Sequence, residues 1–252
     1  MPEAVLEYSK TRDYQVVMEI QDEILSDYAD DFSKQAPVSE IEKIRLIWES
    51  VPKQLAKDNN KFVFSHVKEG KRAHELEAAL QWLKNAGLIQ TLELVQNAES
   101  PLSLHADSTF FKVYMSDIGL LSRRSGLTLD AFLDENDALK TSKGAITENY
   151  VMNEMISLKK NPYYWRSGNT AELDFIYENE DGIVPVEVKA KNGATASLIN
   201  LITKDKYSDV RYGIKLAERN IGYGNGFYTF PYFLTFLLKR FLEQVQNSDF
   251  SI

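Results

Sequence analysis

The chain has 252 residues, 44% hydrophobic and 26% charged, a composition that fits one large folded domain or two ordinary ones and excludes disordered or collagen-like chains. It contains no cysteine, which removes disulfide scaffolds, thiol catalysis and thiolate metal sites, and no apolar run of the roughly 18–20 residues that span a bilayer. The net charge of −8 sits mostly at one end: residues 1–50 carry 5 Lys and Arg against 12 Asp and Glu, and residues 51–252 carry 24 against 25.

Any contact with nucleic acid must therefore come from a local basic patch rather than from overall charge. Met1-Pro2-Glu3 lacks the basic head and apolar stretch of a signal peptide. The expected location is cytoplasmic, with no membrane partner.

Residues 1–38 read as helical, with Met18, Leu25 and Phe32 recurring at seven-residue spacing among acidic neighbours. Residues 39–127 read as one unit. Ser39 and Glu42 form a capping-box pattern ahead of a helix carrying Ile41, Ile44, Leu46 and Trp48. Pro52 suits the first position of a short second helix containing Leu55. A third helix is expected from Lys71 to Ala86, with Leu76, Leu80 and Leu83 on one face and Gly87 as its stop. Strands at Leu88–Val95 and Phe110–Met115 complete the order of a winged helix. Its third helix mixes Lys71, Arg72 and Lys84 with Glu75 and Glu77, which opposes simple approach to phosphates.

Residues 128–252 read as a second, α/β domain. A polar connection runs to Lys143, a helix covers Gly144–Lys160, and strands follow at Tyr163–Arg166, Leu173–Tyr177 and Ile183–Lys191, with Glu178–Gly182 as hairpin connector. A helix at Ser197–Tyr207, a strand at Val210–Leu216 and an apolar segment from Phe227 to Val245 close the pattern. Gly222, Gly224 and Gly226 read as a turn. The fold class expected is α/β, α+β overall.

Period-two alternation along the second of these strands puts Leu173, Phe175 and Tyr177 on one face and Asp174 on the other; along the third it sets Glu187, Lys189 and Lys191 opposite Val184, Val186 and Val188. If the two strands pair antiparallel, Asp174 and Glu187 converge with Lys189 beside them. Two converging carboxylates suit Mg²⁺, and a neighbouring ammonium can orient water or stabilise charge on a phosphate. The Val188 carbonyl offers a third metal oxygen, Glu148 on the preceding helix another carboxylate, and Arg166 and Lys191 contacts to phosphate. This constellation suits metal-assisted phosphodiester hydrolysis. Glu-x-Lys alone is unspecific, and Glu69-Gly70-Lys71 is a second copy. Tyr163, Tyr164 and Trp165 can stack on bases, although aromatics entering a strand usually belong to a core. His66, His74 and His105 show no metal-ligand spacing.

The segments Gly144-Ala-Ile-Thr-Glu-Asn-Tyr-Val151, Tyr163-Tyr-Trp-Arg-Ser167, Ala171-Glu-Leu-Asp-Phe175 and Val184-Pro-Val-Glu-Val-Lys189 resemble the C-terminal domain of a family of prokaryotic AAA-type ATPases. That domain, of unknown function, is related to the PD-(D/E)XK nuclease fold. Met1–Val5, Tyr28–Lys34 and Phe111–Leu120 resemble the same family's middle region. The resemblance implies that Glu148, Asp174, Glu187 and Lys189 are the nuclease-like signature residues; Leu173 stands where the motif's proline would be.

The family's N-terminal ATPase core is missing, since no Gly-x-x-x-x-Gly-Lys-Ser/Thr stretch occurs. Met1 matches an internal family position, so a truncated form, a gene remnant or a misassigned start is expected, with residues 1–38 as the remnant of the ATPase module. The reading is a Mg²⁺-dependent nuclease-like domain. The alternative is a non-catalytic scaffold binding nucleic acid, a protein partner or the missing ATPase module. A third reading is a DNA-binding regulator acting through residues 39–125.

Without a phosphate-binding loop, saturating Mg²⁺-ATP should leave the melting temperature of the chain unchanged in a thermal-shift measurement.

Overall fold

The computed structural model describes residues 1–57, 61–128, 140–168, 171–189 and 195–241. The chain divides into two compact units, residues 1–91 with 112–146 and residues 92–111 with 147–252. Among the described residues, no helix is long and apolar enough to cross a membrane.

The acidic N-terminal block is two helices, α1 (Pro2–Thr11) and α2 (Tyr14–Gln35). Left-handed Arg12 separates them, and the Asp13 side chain caps α2 by accepting the Gln15 N–H. Phe32 is the buried residue of α2, set edge-on to Trp48 and Trp82 at ring distances of 6.0 and 5.7 Å.

α3 (Ile41–Leu55) departs from expectation twice. The Ser39–Glu42 capping box does not form: Glu40 is the N-cap, its N–H closes a turn on the Pro37 carbonyl at 2.8 Å, and its carboxylate holds Lys43 at 2.7 Å. Glu42 instead reaches Lys68 at 3.0 Å.

The second difference is at Pro52, which starts no new helix, because α3 runs straight through it. A proline inside a helix leaves the carbonyl four residues back without its donor. That carbonyl belongs to Trp48, and it accepts from Arg124 Nη1 at 2.7 Å. The Arg124 guanidinium also lies 4.8 Å from the centre of the Trp48 ring. Arg124 ends α5 (Ile118–Arg124).

After α3 come a 3₁₀ turn at Phe64–His66 and α4 (Ala73–Asn85). α4 buries Leu76, Leu80 and Leu83 as their spacing predicts, and the Gly87 and Leu88 N–H groups bond back to the Lys84 and Leu83 carbonyls. Lys71 is tied to Glu75 at 2.9 Å, so the cations ahead of this helix are partly neutralised.

The sheet is eight-stranded and mixed, in the order β2 (Ala106–Met115), β1 (Ile89–Val95), β3 (Tyr163–Ser167), β4 (Ala171–Asn179), β5 (Gly182–Val188), β6 (Gly213–Ala217), β8 (Phe227–Pro231) and β7 (Gly222–Gly224). The α/β class read from the sequence stands. β1 pairs parallel with β3, which continues antiparallel to β4 and β5; β5, β6 and β8 are parallel.

Trp165, Leu173, Ile176, Ile183 and Phe227 from these strands pack in one cluster with Leu198 and Leu201 of α7 (Ala196–Thr203). Tyr164 and Trp165 are fully buried, so both are core residues. Gly222 to Gly226 is not merely a turn. Asn225 and Gly226, at φ 52° and 79°, make the two-residue loop of a hairpin whose first strand is β7. Both central residues with positive φ is the type I′ pattern that Asn-Gly favours.

In a double-mutant cycle followed by chemical denaturation, Arg124→Ala should cost about 1–3 kcal/mol, because it orphans the Trp48 carbonyl and removes the ring contact. The cost should shrink in a Pro52→Ala background, where the helix supplies its own donor to that carbonyl.

Candidate functional site

β4 and β5 form a hairpin with Asn179 opposite Gly182, leaving Glu180 and Asp181 as its loop. Gly182 sits at φ 120°, and a Cβ there would lie 2.3 Å from the Asp209 carbonyl oxygen, which accepts the Ile183 N–H at 2.8 Å. Only glycine meets both conditions. The turn thereby sets the register that carries Phe175 opposite Val186.

On its other side β4 carries a bulge. Between the pairs Tyr163–Ile176 and Trp165–Leu173, the single residue Tyr164 faces both Asp174 and Phe175. The extra residue breaks strict alternation, and Leu173 and Ile176, three positions apart, both enter the core cluster. The expected common face of Leu173, Phe175 and Tyr177 is corrected accordingly. The bulge falls at Asp174, which turns to β5 and accepts the Val188 N–H at 2.7 Å on Oδ2.

The structure brings Asp174, Glu187 and Lys189 together. Lys189 Nζ lies 3.0 Å from Glu187 Oε1 and 3.9 Å from Asp174 Oδ2. Glu187 is only 2% exposed, and its Oε2 is buried with no hydrogen-bond partner among the described residues. Burial, then the charge of Asp174, push the Glu187 carboxyl up from 4.5 to about 7, against the pull of Lys189 and Lys215. Burial disfavours the Lys189 ammonium, but Asp174, Glu187 and Glu148 outweigh it and hold its pKa above the ordinary lysine value.

Glu148 is buried on α6 (Lys140–Ser157) and acts on Lys189 through its charge. Val188 is the last residue of β5, in register with Leu216 of β6. Arg166 lies on β3 directly across from Glu172. Lys191, together with most of the polar connection before α6, lies outside the described residues. The second Glu-x-Lys copy sits in a turn, with Gly70 at φ 80°. Among the described residues, no group of three or more His, Asp or Glu side chains is arranged to hold a metal ion.

Two residues of this neighbourhood were not singled out in the sequence. Lys215 pairs in register with Glu187 across β5 and β6. The signal was present, since it is the lone charge in the otherwise apolar strand Gly213-Ile-Lys-Leu-Ala217. Tyr232 donates its hydroxyl to the Lys189 carbonyl at 2.5 Å. Burial, then the charges of Glu218 and Asp174, raise its pKa to about 12, so it stays a donor.

Residues 1–131 match the family described as Domain of unknown function (DUF8612), and the chain belongs to that family. Residues 143–234, which contain the carboxylates and Lys189, match Domain of unknown function (DUF4143), a domain usually found in C-terminal regions associated with AAA ATPases. Among solved structures, protein VC1899 from Vibrio cholerae is similar at 12% identity and a TM-score of 0.28, over 86% of this chain and 53% of that one. The chain thus spans about half the length of that protein, and a likeness this low carries no argument. No curated protein matches this chain.

A carboxyl whose pKa is higher in the folded than in the unfolded chain adds stability that is complete below the unfolded value and is lost as pH rises through the folded one. In metal-free buffer, Glu187 should lower the unfolding free energy by about 3 kcal/mol between its ordinary value of 4.5 and about pH 7. Denaturant titrations at a series of pH values should show that decline in the wild type, and a correspondingly flatter profile in Glu187→Gln.

Proposed function

We propose that residues 143–234 form a PD-(D/E)XK-like domain that hydrolyses nucleic-acid phosphodiesters with Mg²⁺. The observation carrying this reading is the buried, unsatisfied Oε2 of Glu187 beside Asp174 and Lys189. Burying a carboxylate oxygen with no donor is costly, and a site that keeps one is suited to a cation. Mg²⁺ is often held by one or two carboxylates, with water filling the other positions, so two acidic side chains fit it without a third.

Asp174 and Glu187 would hold the ion, with the Val188 carbonyl as a further oxygen. When bound, Mg²⁺ supplies a polarised phosphate oxygen and a more acidic water. Lys189 would orient that water and offset charge gathering on the phosphate; Asp174 and Glu187, with a smaller contribution from Glu148, keep it protonated. The Val188 N–H fixes Asp174, and Tyr232 fixes the backbone of Lys189. Arg166 and Lys191 are proposed phosphate contacts. The partner of this domain in longer relatives would be an ATPase module carried elsewhere.

A second reading has its own support. Lys189 already bridges the two carboxylates and supplies a positive charge between them. The same fold would then be a non-catalytic scaffold for nucleic acid or protein.

Incubation with DNA and RNA in Mg²⁺ or Mn²⁺ separates the readings. Cleavage by the wild type should fall at least a hundredfold in both Asp174→Ala and Lys189→Ala. Cleavage that both variants retain would overturn the assignment. Titration calorimetry with Mn²⁺ adds a readout independent of turnover: binding that disappears in Asp174→Ala is expected of the metal site, and no binding by the wild type is expected of the scaffold.

A further inference from the structure

Tyr163, Tyr164 and Trp165 are spent on the core, but two other aromatic residues in the same unit are not. Residues 232–241 are helical, beginning with a 3₁₀ turn at Tyr232–Leu237. Their inward side is anchored. Thr235 and Leu238 are buried, and the Phe241 ring meets Phe230 at 4.7 Å and Tyr228 at 5.3 Å, both edge-on. Held that way, the segment turns Phe233 and Phe236 outward, at 68% and 54% exposure. A side chain three residues further along a 3₁₀ turn lies directly above its predecessor, so Phe233 and Phe236 form one exposed row, with Lys239 and Arg240 exposed in the helical turn that follows.

From Phe227 to Phe241 the chain contains no Asp or Glu, and its charges are Lys239 and Arg240. The row also starts at the candidate site, because Tyr232, next to Phe233, donates to the Lys189 carbonyl. Exposed π-faces ending in cations, beside groups suited to phosphate chemistry, match a strand that offers unpaired bases and an anionic backbone. A duplex keeps its bases stacked inside and has none to lay on these rings.

We infer that Phe233 and Phe236, with Lys239 and Arg240 at their end, form a stacking platform for single-stranded nucleic acid that leads to the Asp174–Glu187–Lys189 site. The inference rests on the phosphodiester reading for its direction, but its test does not. Binding is measured in EDTA, where no metal-dependent cleavage occurs, by fluorescence anisotropy of a labelled short oligothymidylate and of the blunt duplex it forms with oligoadenylate.

The expected result is preference for the single strand, lost by about tenfold in each of Phe233→Ala and Phe236→Ala and kept in Phe→Trp variants at the same positions. Arg240→Ala should flatten the dependence of log affinity on log salt by about 0.7. Circular dichroism and melting temperature check that the variants, altered only at exposed positions, stay folded. Single-strand affinity indifferent to both phenylalanines overturns the platform, even if the wild type cleaves DNA. So does absence of oligonucleotide binding, or binding instead to phosphatidylserine–phosphatidylcholine vesicles through the same phenylalanines. Phenylalanine-dependent binding without cleavage in Mg²⁺ upholds the platform and removes the nuclease reading.

Discussion

A carboxylate with 2% exposure and one unbonded oxygen is the constraint around which the C-terminal unit is arranged. Lys189 at 3.0 Å and the field of Lys215 favour its charged form against burial, and Lys189 is itself held in its charged form by Asp174, Glu187 and Glu148. None of these groups would be settled alone. A buried anion without a partner neutralises, and a partly buried ammonium loses its proton more readily. Together they form a coupled set in which Asp174 and Glu148 act on Lys189, and Lys189 and Lys215 act on Glu187.

Much of that set was legible in the sequence because it depends on local geometry. A hairpin with a two-residue loop fixes which residues of its strands meet, and Glu178–Gly182 announces the hairpin by composition alone. Asp174, Glu187 and Lys189 follow from counting outward. The bulge at Asp174 was not legible, since it depends on how β4 meets β3, and period-two counting assumes no interruption. Lys215 and Tyr232 were passed over for a related reason. Their places depend on the parallel neighbours β6 and β8 and on the segment beyond, which no local signal pairs with β5.

The N-terminal unit shows the opposite balance. The helical faces of α3 and α4 were readable from apolar spacing, while the ends of α3 were misplaced at Ser39 and Pro52. At both positions a residue's own preference yields to its surroundings. A turn closed on the Pro37 carbonyl displaced the serine cap, and a distant guanidinium made an interior proline tolerable. The Asn225-Gly226 hairpin is the converse, a strong local signal passed over because three glycines in a row of alternate positions look like slack chain.

The pairing of Pro52 with Arg124 has an evolutionary corollary. A backbone oxygen stripped of its donor by one side chain and satisfied by another makes the first position depend on the second. Losing the arginine first passes through an intermediate with an orphaned carbonyl, whereas losing the proline first restores the helix's own donor. Across relatives, the proline should therefore be found where the arginine is kept, although the two lie in separate helices.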